Sequence, residues 1–264
     1  MKRILSGVLL LCLLLSGCAG VATPAQTQYT ATFLSLFDTV TTIVGRAESE
    51  EAFRAITQEI HDELLEYHQL FDIYQEYPGM NNLKTVNDRA GVEPVVVDGR
   101  ILALLQDCKT YYEQTNGMVN VAMGSVLRLW HEARTDSLNA PAHAWLPKPA
   151  DLQAAADHMD LSCVELDEAA STVYIRDPQV RLDVGAIAKG WSVQQVGQNA
   201  PAGLLISVGG NVFATGPKVS DGTPWVVGIQ DPDGEGNLHT VYVSGGSVVT
   251  SGDYQRNFAV DGQL

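Results

Sequence analysis

The sequence has few basic residues and few cysteines, and it lacks the common zinc- and nucleotide-binding motifs. Its 264 residues include 16 lysines and arginines against 31 acidic residues, for a formal net charge of −15. A domain this acidic repels nucleic acid, so we expect no nucleic-acid partner. No Cys-x-x-Cys occurs and the six histidines are scattered, which argues against a zinc site. Rossmann and Walker glycine motifs are also absent.

Long apolar runs are confined to the start of the chain. Lys2 and Arg3 precede an apolar stretch that ends at Leu15. Residues 1–17 therefore resemble an export signal, and their apolar centre is too short to cross a membrane as a helix. The tetrad Leu15-Ser16-Gly17-Cys18 matches the bacterial lipobox and predicts that Cys18 becomes an acylated first residue. An ordinary cleaved signal is the alternative.

Export places the mature protein outside the cytoplasm. Because its acidic surface repels anionic headgroups, we expect the lipid to be its attachment to the cell membrane. Residues 18–29 are small and polar, which predicts a flexible tether before a domain at 30–264. Cys108 and Cys163 are predicted to be free thiols, because Cys108 lies on the apolar face of a predicted helix. A disulfide between them outside the cytoplasm is the alternative.

Apolar spacing divides the domain into a helical first half and a strand-rich second half. Helices are predicted at 48–74, from 101 to Asn116-Gly117, at 119–133 and at 151–159, with a polar loop over 135–149. Strands are predicted at 30–45 with a break near Asp38, at 163–166 and 172–175 as a hairpin, and at 204–208, 225–230, 239–249 and 254–260. This order predicts an α+β fold with a largely antiparallel sheet.

The segment RLDVGAIAKGWSVQQV (181–196) is the most informative for ligand binding. We expect Arg181 and Leu182 to finish a strand, and Gly185 to allow a bend before a helix that starts near Ala188. The helix N-terminus and the charge of Lys189 would attract an anion such as a diphosphate. Asp183 suits a hydrogen-bond donor on a ring or ribose. A capped helix with solvated Asp and Lys side chains is the alternative.

Three further segments are weaker signals on their own. Gly209-Gly210-Asn211 lets two backbones, or a backbone and a ligand, approach closely, although a plain turn explains it too. The stretch GMVNVAMGSVLRLWHEA (117–133) has apolar residues at helical spacing, which is more typical of a core than of a cofactor site. Phe37-Asp38-Thr39 interrupts a strand, as any local turn would.

Taken in chain order, these segments resemble the signatures of ApbE-like FAD:protein FMN transferases. The similar pieces are FDT (37–39), GMVNVAMGSVLRLW (117–130), LDVGAIAKGW (182–191), SVGGNVFATG (207–216), WVVGIQDP (225–232) and VVTSGDYQR (248–256). The resemblance implies an ApbE-like, T-fold-related domain. It also implies an enzyme that uses Mg²⁺ to split FAD, releases AMP and joins FMN to a Ser or Thr hydroxyl of another exported protein. The implied acceptors are FMN-carrying subunits of membrane redox complexes.

The resemblance also implies which residues form the site. It implies FAD contacts at Phe37, Tyr74, Met118, Val119, Asn120, Asp183 and Lys189, and a Mg²⁺ contact at the backbone carbonyl of Ala186. Two positions depart from the family pattern, because Phe37 replaces a usual Met and Asn120 replaces a common Asp.

The family pattern continues past Thr-Ser-Gly-Asp-Tyr to a His-x-Ile-Asp-Pro stretch and to a later Asp and Thr of the metal site. The sequence ends at Leu264 before these, and Mg²⁺ prefers about six oxygens, which the Ala186 carbonyl alone does not supply. We therefore expect a C-terminally truncated member that binds FAD at best, with the catalytic base unassigned. A non-catalytic exported flavin- or solute-binding lipoprotein and an FAD hydrolase yielding FMN and AMP are the alternatives.

Overall fold

The computed structural model describes residues 26–252 and 257–260. The predicted signal, the lipidation at Cys18 and residues 254–256 of the last predicted strand lie outside the described residues. The first strand begins at Thr27, inside the segment predicted to be a tether.

The described residues form an α+β fold with helices mostly in the first half, as predicted. The helices are α1 (Glu50–Phe71), α2 (Leu83–Asp88), α3 (Gly99–Gln114), α4 (Gly124–Asn139), α5 (Pro149–Ala156) and α6 (Ala188–Asn199). The strands are β1 (Thr27–Leu36), β2 (Thr39–Ala47), β3 (Val95–Val96), β4 (Val164–Asp167), β5 (Thr172–Ile175), β6 (Leu205–Val208), β7 (Asn211–Ala214), β8 (Trp225–Gln230), β9 (Asn237–Val243) and β10 (Gly246–Val249).

The main sheet has five strands in the order β1-β2-β6-β7-β10, and every neighbouring pair is antiparallel. Helix α1 packs on β1 and β2, while α6 packs on β6 and β7. Ile43 of β2 is paired with Ile206 of β6, and both side chains are fully buried under these helices. The two helices therefore cover one face of the sheet and form the core with it.

The long helix α1 forms because its sequence meets both the packing and the capping requirements of a helix. Phe53, Ile60 and Leu64 recur on one face and are buried. Ser49 caps the start, since its hydroxyl accepts a hydrogen bond of 3.1 Å from the backbone N–H of Ala52. The predicted helix at 48–74 is thus confirmed, with its ends at Glu50 and Phe71.

The smaller sheets extend this architecture. A three-stranded antiparallel sheet has the order β3-β5-β4, and its residues Val95, Val173 and Ile175 belong to the same core cluster as the main sheet. It includes the hairpin that was predicted from the two short apolar runs. Strands β8 and β9 form a separate two-stranded antiparallel ribbon.

Some predicted boundaries were wrong. The predicted helix at 119–133 lies at Gly124–Asn139, because the backbone around Val121 and Met123 bonds to residues 181–183 instead of continuing a helix. Its last turns occupy the start of the predicted 135–149 loop. Arg181 forms only an isolated bridge to Met123, so no regular strand ends there.

Two predicted strands are in fact pairs of strands. The segment 30–45 belongs to the hairpin of β1 and β2, with the turn at the predicted break near Asp38. The segment 239–249 contains the end of β9, a turn at Ser244-Gly245 and then β10. In both cases the period-2 pattern continues through a turn of two residues, which leaves little trace in the apolar spacing.

Cys108 and Cys163 are free thiols, as predicted, and Cys108 is buried. Burial raises the pKa of the Cys108 thiol to about 12, so this group is inert rather than reactive. Among the described helices, we find none that combines the length and the apolar character of a membrane span.

We predict that Gly124→Ala destabilises the fold. A Cβ at Gly124, the first residue of α4, would lie 2.6 Å from the carbonyl oxygen of Arg181, which is backbone and cannot rotate away. We expect a loss of about 1 to 3 kcal/mol in the free energy of unfolding, measured by urea denaturation. Gly99 is the matched control, because it also begins a helix but has no neighbouring atom within 4 Å of the added Cβ. Equal stability of the two variants would contradict the expectation.

Candidate functional site

Four of the segments singled out in the sequence meet at one end of the five-stranded sheet. The Gly209 N–H donates to the Val40 carbonyl at 3.1 Å, which places the turn between β6 and β7 against the turn between β1 and β2. Asn211 pairs with Val249 of β10, and its side-chain oxygen lies 3.2 Å from the position of a Cβ on Gly190 in α6. The sheet therefore gathers residues that are far apart in the chain.

The paired glycines form the turn between β6 and β7, and they also permit a close approach to the turn between β1 and β2. Gly209 and Gly210 have φ of 53° and 86°, and a Cβ on Gly209 would lie 2.5 Å from the Thr39 hydroxyl. The side-chain amide of Asn211 donates to the Val208 carbonyl at 3.2 Å. A glycine is thus required where the two turns touch.

The turn at Phe37 is held in an unfavourable backbone conformation. Phe37 and Asp38 have φ of 51° and 52°, the left-handed values that a two-residue hairpin turn requires but that Phe rarely adopts. His68 of α1 stabilises this turn, because its Nδ1 accepts a hydrogen bond of 3.3 Å from the Phe37 N–H and its ring meets the Phe37 ring edge-on at 5.4 Å. Phe37 is thereby held at the sheet end, and its FAD contact stays a prediction.

Residues after α1 connect Phe37 to Tyr74. The His68 ring lies 6.5 Å from the ring of Tyr77, whose hydroxyl donates to Asp72 Oδ2 at 2.8 Å. The other oxygen of Asp72 accepts from the Tyr74 N–H at 2.6 Å. Phe37 is therefore connected, through His68, Tyr77 and Asp72, to the backbone of Tyr74.

Tyr74 and Asp183 are brought together by His131, a residue that the sequence prediction missed. The Tyr74 hydroxyl lies 2.6 Å from His131 Nδ1, and the two rings stack with centroids 6.1 Å apart. On the opposite side of the imidazole, Nε2 lies 3.7 Å from Asp183 Oδ2. His131 belongs to the stretch read as a helical core stripe, and its partners lie too far away in the chain for spacing to reveal them.

The segment at 118–120 lies beside Asp183 through the backbone. The Asp183 N–H donates to the Val121 carbonyl at 2.8 Å, while Val119 donates its N–H to the Thr115 hydroxyl at 3.0 Å. Met118 is the most exposed of the three predicted contacts here, with 85% of its surface accessible.

Asn120 is already engaged within the protein. Its amide nitrogen donates to the Met159 carbonyl at 2.9 Å, and its oxygen accepts from the Ala122 N–H at 2.9 Å. A carboxylate could not donate to Met159, which gives a physical reason for Asn at this position. The expected FAD contact of the Asn120 side chain would compete with these bonds and stays a prediction.

Asp183 leads directly into the start of α6. Its carboxylate is only 9% exposed, and Oδ1 accepts from the Gly185 N–H at 2.9 Å. Helix α6 starts at Ala188, as predicted, and no side chain caps it. Lys189 Nζ donates to the Gly185 carbonyl at 3.3 Å, which keeps its charge beside the helix start. The uncapped helix start and the charge of Lys189 favour an anion at the start of α6.

Asn87 bonds to the backbone next to Asp183, and it was also missed by the sequence prediction. Its side chain makes two bonds to the fully buried Leu182, donating to the carbonyl at 2.9 Å and accepting from the N–H at 2.7 Å. Because Leu182 lies far from Asn87 in the sequence, no local pattern indicates this pair.

The described residues do not make up a magnesium site by themselves. Within 26–252 and 257–260, no three His, Cys, Asp or Glu side chains form a group that could hold a metal ion. Ala186, whose carbonyl is the expected contact, is exposed in the loop before α6. Asp183 has one oxygen bonded to Gly185 and the other facing His131. This falls short of the six oxygens that Mg²⁺ prefers.

A pocket of about 230 Å³ lies on another side of α6. It is lined by residues of α3, α6, β7 and β10, including Asp107, Trp191 and Asn211. The indole N–H of Trp191 donates to Asp107 at 2.7 Å. The seven predicted FAD contacts do not line this pocket. The pocket is therefore separate from the group of side chains around Tyr74 and Asp183.

We predict that Asn87→Ala destabilises the protein by about 3 kcal/mol, because it leaves a buried N–H and a buried carbonyl of Leu182 unpaired. Urea denaturation measures the loss. Asn81→Ala serves as the control, since the exposed Asn81 makes a single bond to the Val96 carbonyl, and we expect a loss below about 1 kcal/mol. A small effect at Asn87 would show that water replaces its bonds.

We expect the stability of the folded protein to depend on pH through Tyr77. Burial, together with the hydrogen bond to Asp72, raises the pKa of Tyr77 from 10.0 to about 12. The folded state keeps the neutral phenol, so this stabilisation is complete below pH 10.0 and is lost as the pH rises to about 12. We expect urea denaturation to show a steeper fall in stability over this range for the wild type than for Tyr77→Phe. Parallel pH profiles of stability for the two proteins would contradict this expectation.

Comparison with known proteins places the chain in a family. The family model described as ApbE family matches residues 27–264. An FAD:protein FMN transferase of Treponema pallidum is 35% identical over 198 residues, covering 68% of this chain and 53% of that protein. One from Klebsiella pneumoniae is 31% identical over 215 residues, covering 77% of this chain and 64% of that protein. The chain thus spans less than two thirds of the length of these two relatives.

The fold agrees with a solved structure. The crystal structure of the ApbE protein from Thermotoga maritima superposes with a TM-score of 0.76 at 27% identity, covering 89% of this chain and 74% of that one. The sequence match and the shared α+β fold support the same assignment, and this chain belongs to the ApbE family.

Proposed function

We propose that this protein is an FAD:protein FMN transferase, which moves FMN from FAD to a Ser or Thr hydroxyl of an acceptor protein and releases AMP. The family match over residues 27–264 and the two relatives with this printed name support the proposal. One structural observation carries it. Three segments expected to contact FAD, at Tyr74, at 118–120 and at Asp183, meet through His131 and the bond between Asp183 and Val121.

Each of these residues has a role that fits the two halves of FAD. Tyr74 is 60% exposed, and its aromatic ring would stack with an aromatic ring of FAD. The Asp183 carboxylate would accept a hydrogen bond from a ring or ribose donor. Lys189 and the start of α6 would hold the diphosphate, because both favour negative charge.

The reaction balances as a phosphoryl transfer. The acceptor oxygen forms a bond to the phosphorus of the FMN half, and the bond from that phosphorus to the bridging oxygen breaks. AMP leaves with the bridging oxygen, and the proton of the acceptor hydroxyl is released. Protein groups that neutralise the diphosphate lower the barrier by stabilising the charge on the transferred group.

Magnesium and export are parts of the same proposal. Mg²⁺ would neutralise the diphosphate, with the Ala186 carbonyl as one contact and further ligands from outside the described residues. The sequence before Cys18 suggests a lipid-anchored protein at the cell membrane that faces outside the cytoplasm. Its acceptors would then be exported FMN-carrying subunits of membrane redox complexes.

One assay separates this function from its alternatives. The protein is incubated with FAD, Mg²⁺ and an acceptor domain that offers a Ser or Thr hydroxyl, and the products are analysed by mass spectrometry. Covalent FMN on the acceptor with equimolar AMP would support transfer, whereas free FMN with AMP would indicate hydrolysis. FAD binding without either product would fit a binding protein or the truncated member expected from the sequence, and absence of FAD binding would rule out transfer and hydrolysis.

We predict that Asp183→Ala weakens FAD binding by about 1 to 3 kcal/mol, because one buried polar contact is lost. Fluorescence titration of FAD measures the dissociation constant. Asp151→Ala, which removes an exposed carboxylate of α5, is the matched control and should leave the affinity unchanged. An unaltered affinity in Asp183→Ala would remove Asp183 from the site.

A further inference from the structure

His131 contacts two residues of the candidate site through its two ring nitrogens. Nδ1 lies 2.6 Å from the Tyr74 hydroxyl, and Nε2 lies 3.7 Å from Asp183 Oδ2. The three residues come from three parts of the fold: the segment after α1, helix α4 and the segment before α6. The imidazole therefore bridges elements that the main sheet does not connect directly.

Tyr74 and Asp183, the two partners of His131, differ in their exposure and in their other contacts. Tyr74 is 60% exposed, and the stacked imidazole at 6.1 Å together with the hydroxyl contact limits the rotation of its ring. The Asp183 carboxylate is 9% exposed and has one oxygen bonded to Gly185. Its other oxygen faces His131, at 3.7 Å from Nε2.

We propose that His131 is a positioning residue of the flavin-nucleotide site. It holds the face of Tyr74 and the carboxylate of Asp183 in a fixed relation before the ligand arrives. This inference rests on the proposed function and extends it to His131, which is not one of the predicted FAD contacts. Preorganisation of this kind raises affinity, because side chains that are already ordered lose less entropy on binding.

The position of His131 on helix α4 determines which side chains it can reach. Helix α4 starts at Gly124, whose N–H donates to the Arg181 carbonyl at 3.0 Å, so α4 and the segment leading to Asp183 are joined at that point. His131 lies two helical turns further along α4 and reaches back to Asp183. A side chain of a different length at this position would lose one partner or both.

The test uses substitutions that separate the two contacts. His131→Phe keeps the stacked ring but removes both nitrogens. His131→Asn keeps a polar atom near the position of Nδ1, and His131→Gln keeps one near the position of Nε2. His143→Phe is the matched control, because His143 is an exposed histidine on the short helical turn after α4.

We expect His131→Phe to weaken FAD binding about fivefold, the effect of one net hydrogen bond, with the melting temperature unchanged. Asn or Gln should restore part of the affinity, and His143→Phe should bind like the wild type. Tyr74→Phe should also cost about fivefold. The double variant with His131→Phe should then fall short of the roughly 25-fold loss of independent sites, because the two groups share one contact.

The outcomes separate the inference from the proposed function. If the wild type binds FAD and His131→Phe binds equally well, His131 has no positioning role. Fully additive losses in the double variant would also overturn the bridge to Tyr74. If the wild type itself does not bind FAD, the proposed function fails, and the inference fails with it.

Discussion

The backbone of residues 181–183 is held by hydrogen bonds on both sides, and the geometry of the candidate site depends on them. Asn87 bonds both polar groups of Leu182, the Gly124 N–H bonds the Arg181 carbonyl, and the Asp183 N–H bonds the Val121 carbonyl. Leu182 is fully buried, so water does not compete for these groups. This short segment fixes α2, the start of α4 and the approach to α6 relative to one another.

The site itself lies where regular structure ends, and some of its residues adopt costly conformations. Phe37 and Asp38 have positive φ, and the Asp183 carboxylate is nearly buried. These costs are offset by neighbours that are not themselves predicted ligand contacts. His68 bonds the Phe37 N–H, the Gly185 N–H bonds the Asp183 carboxylate, and His131 Nε2 lies 3.7 Å from its other oxygen. A ligand would thus meet groups whose positions are set before binding.

Local patterns in the sequence predicted much of the fold. The apolar period predicted α1 and the N-terminus of α6, and the alternating runs predicted the hairpin of β4 and β5. The pattern failed at 119–123, where apolar residues at helical spacing lie in bends and turns. Bonds to residues 181–183 outweigh the helical tendency there, and such long-range bonds leave no periodic signal.

The sequence by itself determined the α+β class and the segments from which the candidate site is built, because these depend on composition and short-range spacing. The tertiary structure alone decided which side chains meet. His131 reaches Tyr74 and Asp183, and Asn87 reaches Leu182, only after the helices pack on the sheet. Contacts between distant residues depend on how elements dock, and docking is set by the whole core rather than by any one segment.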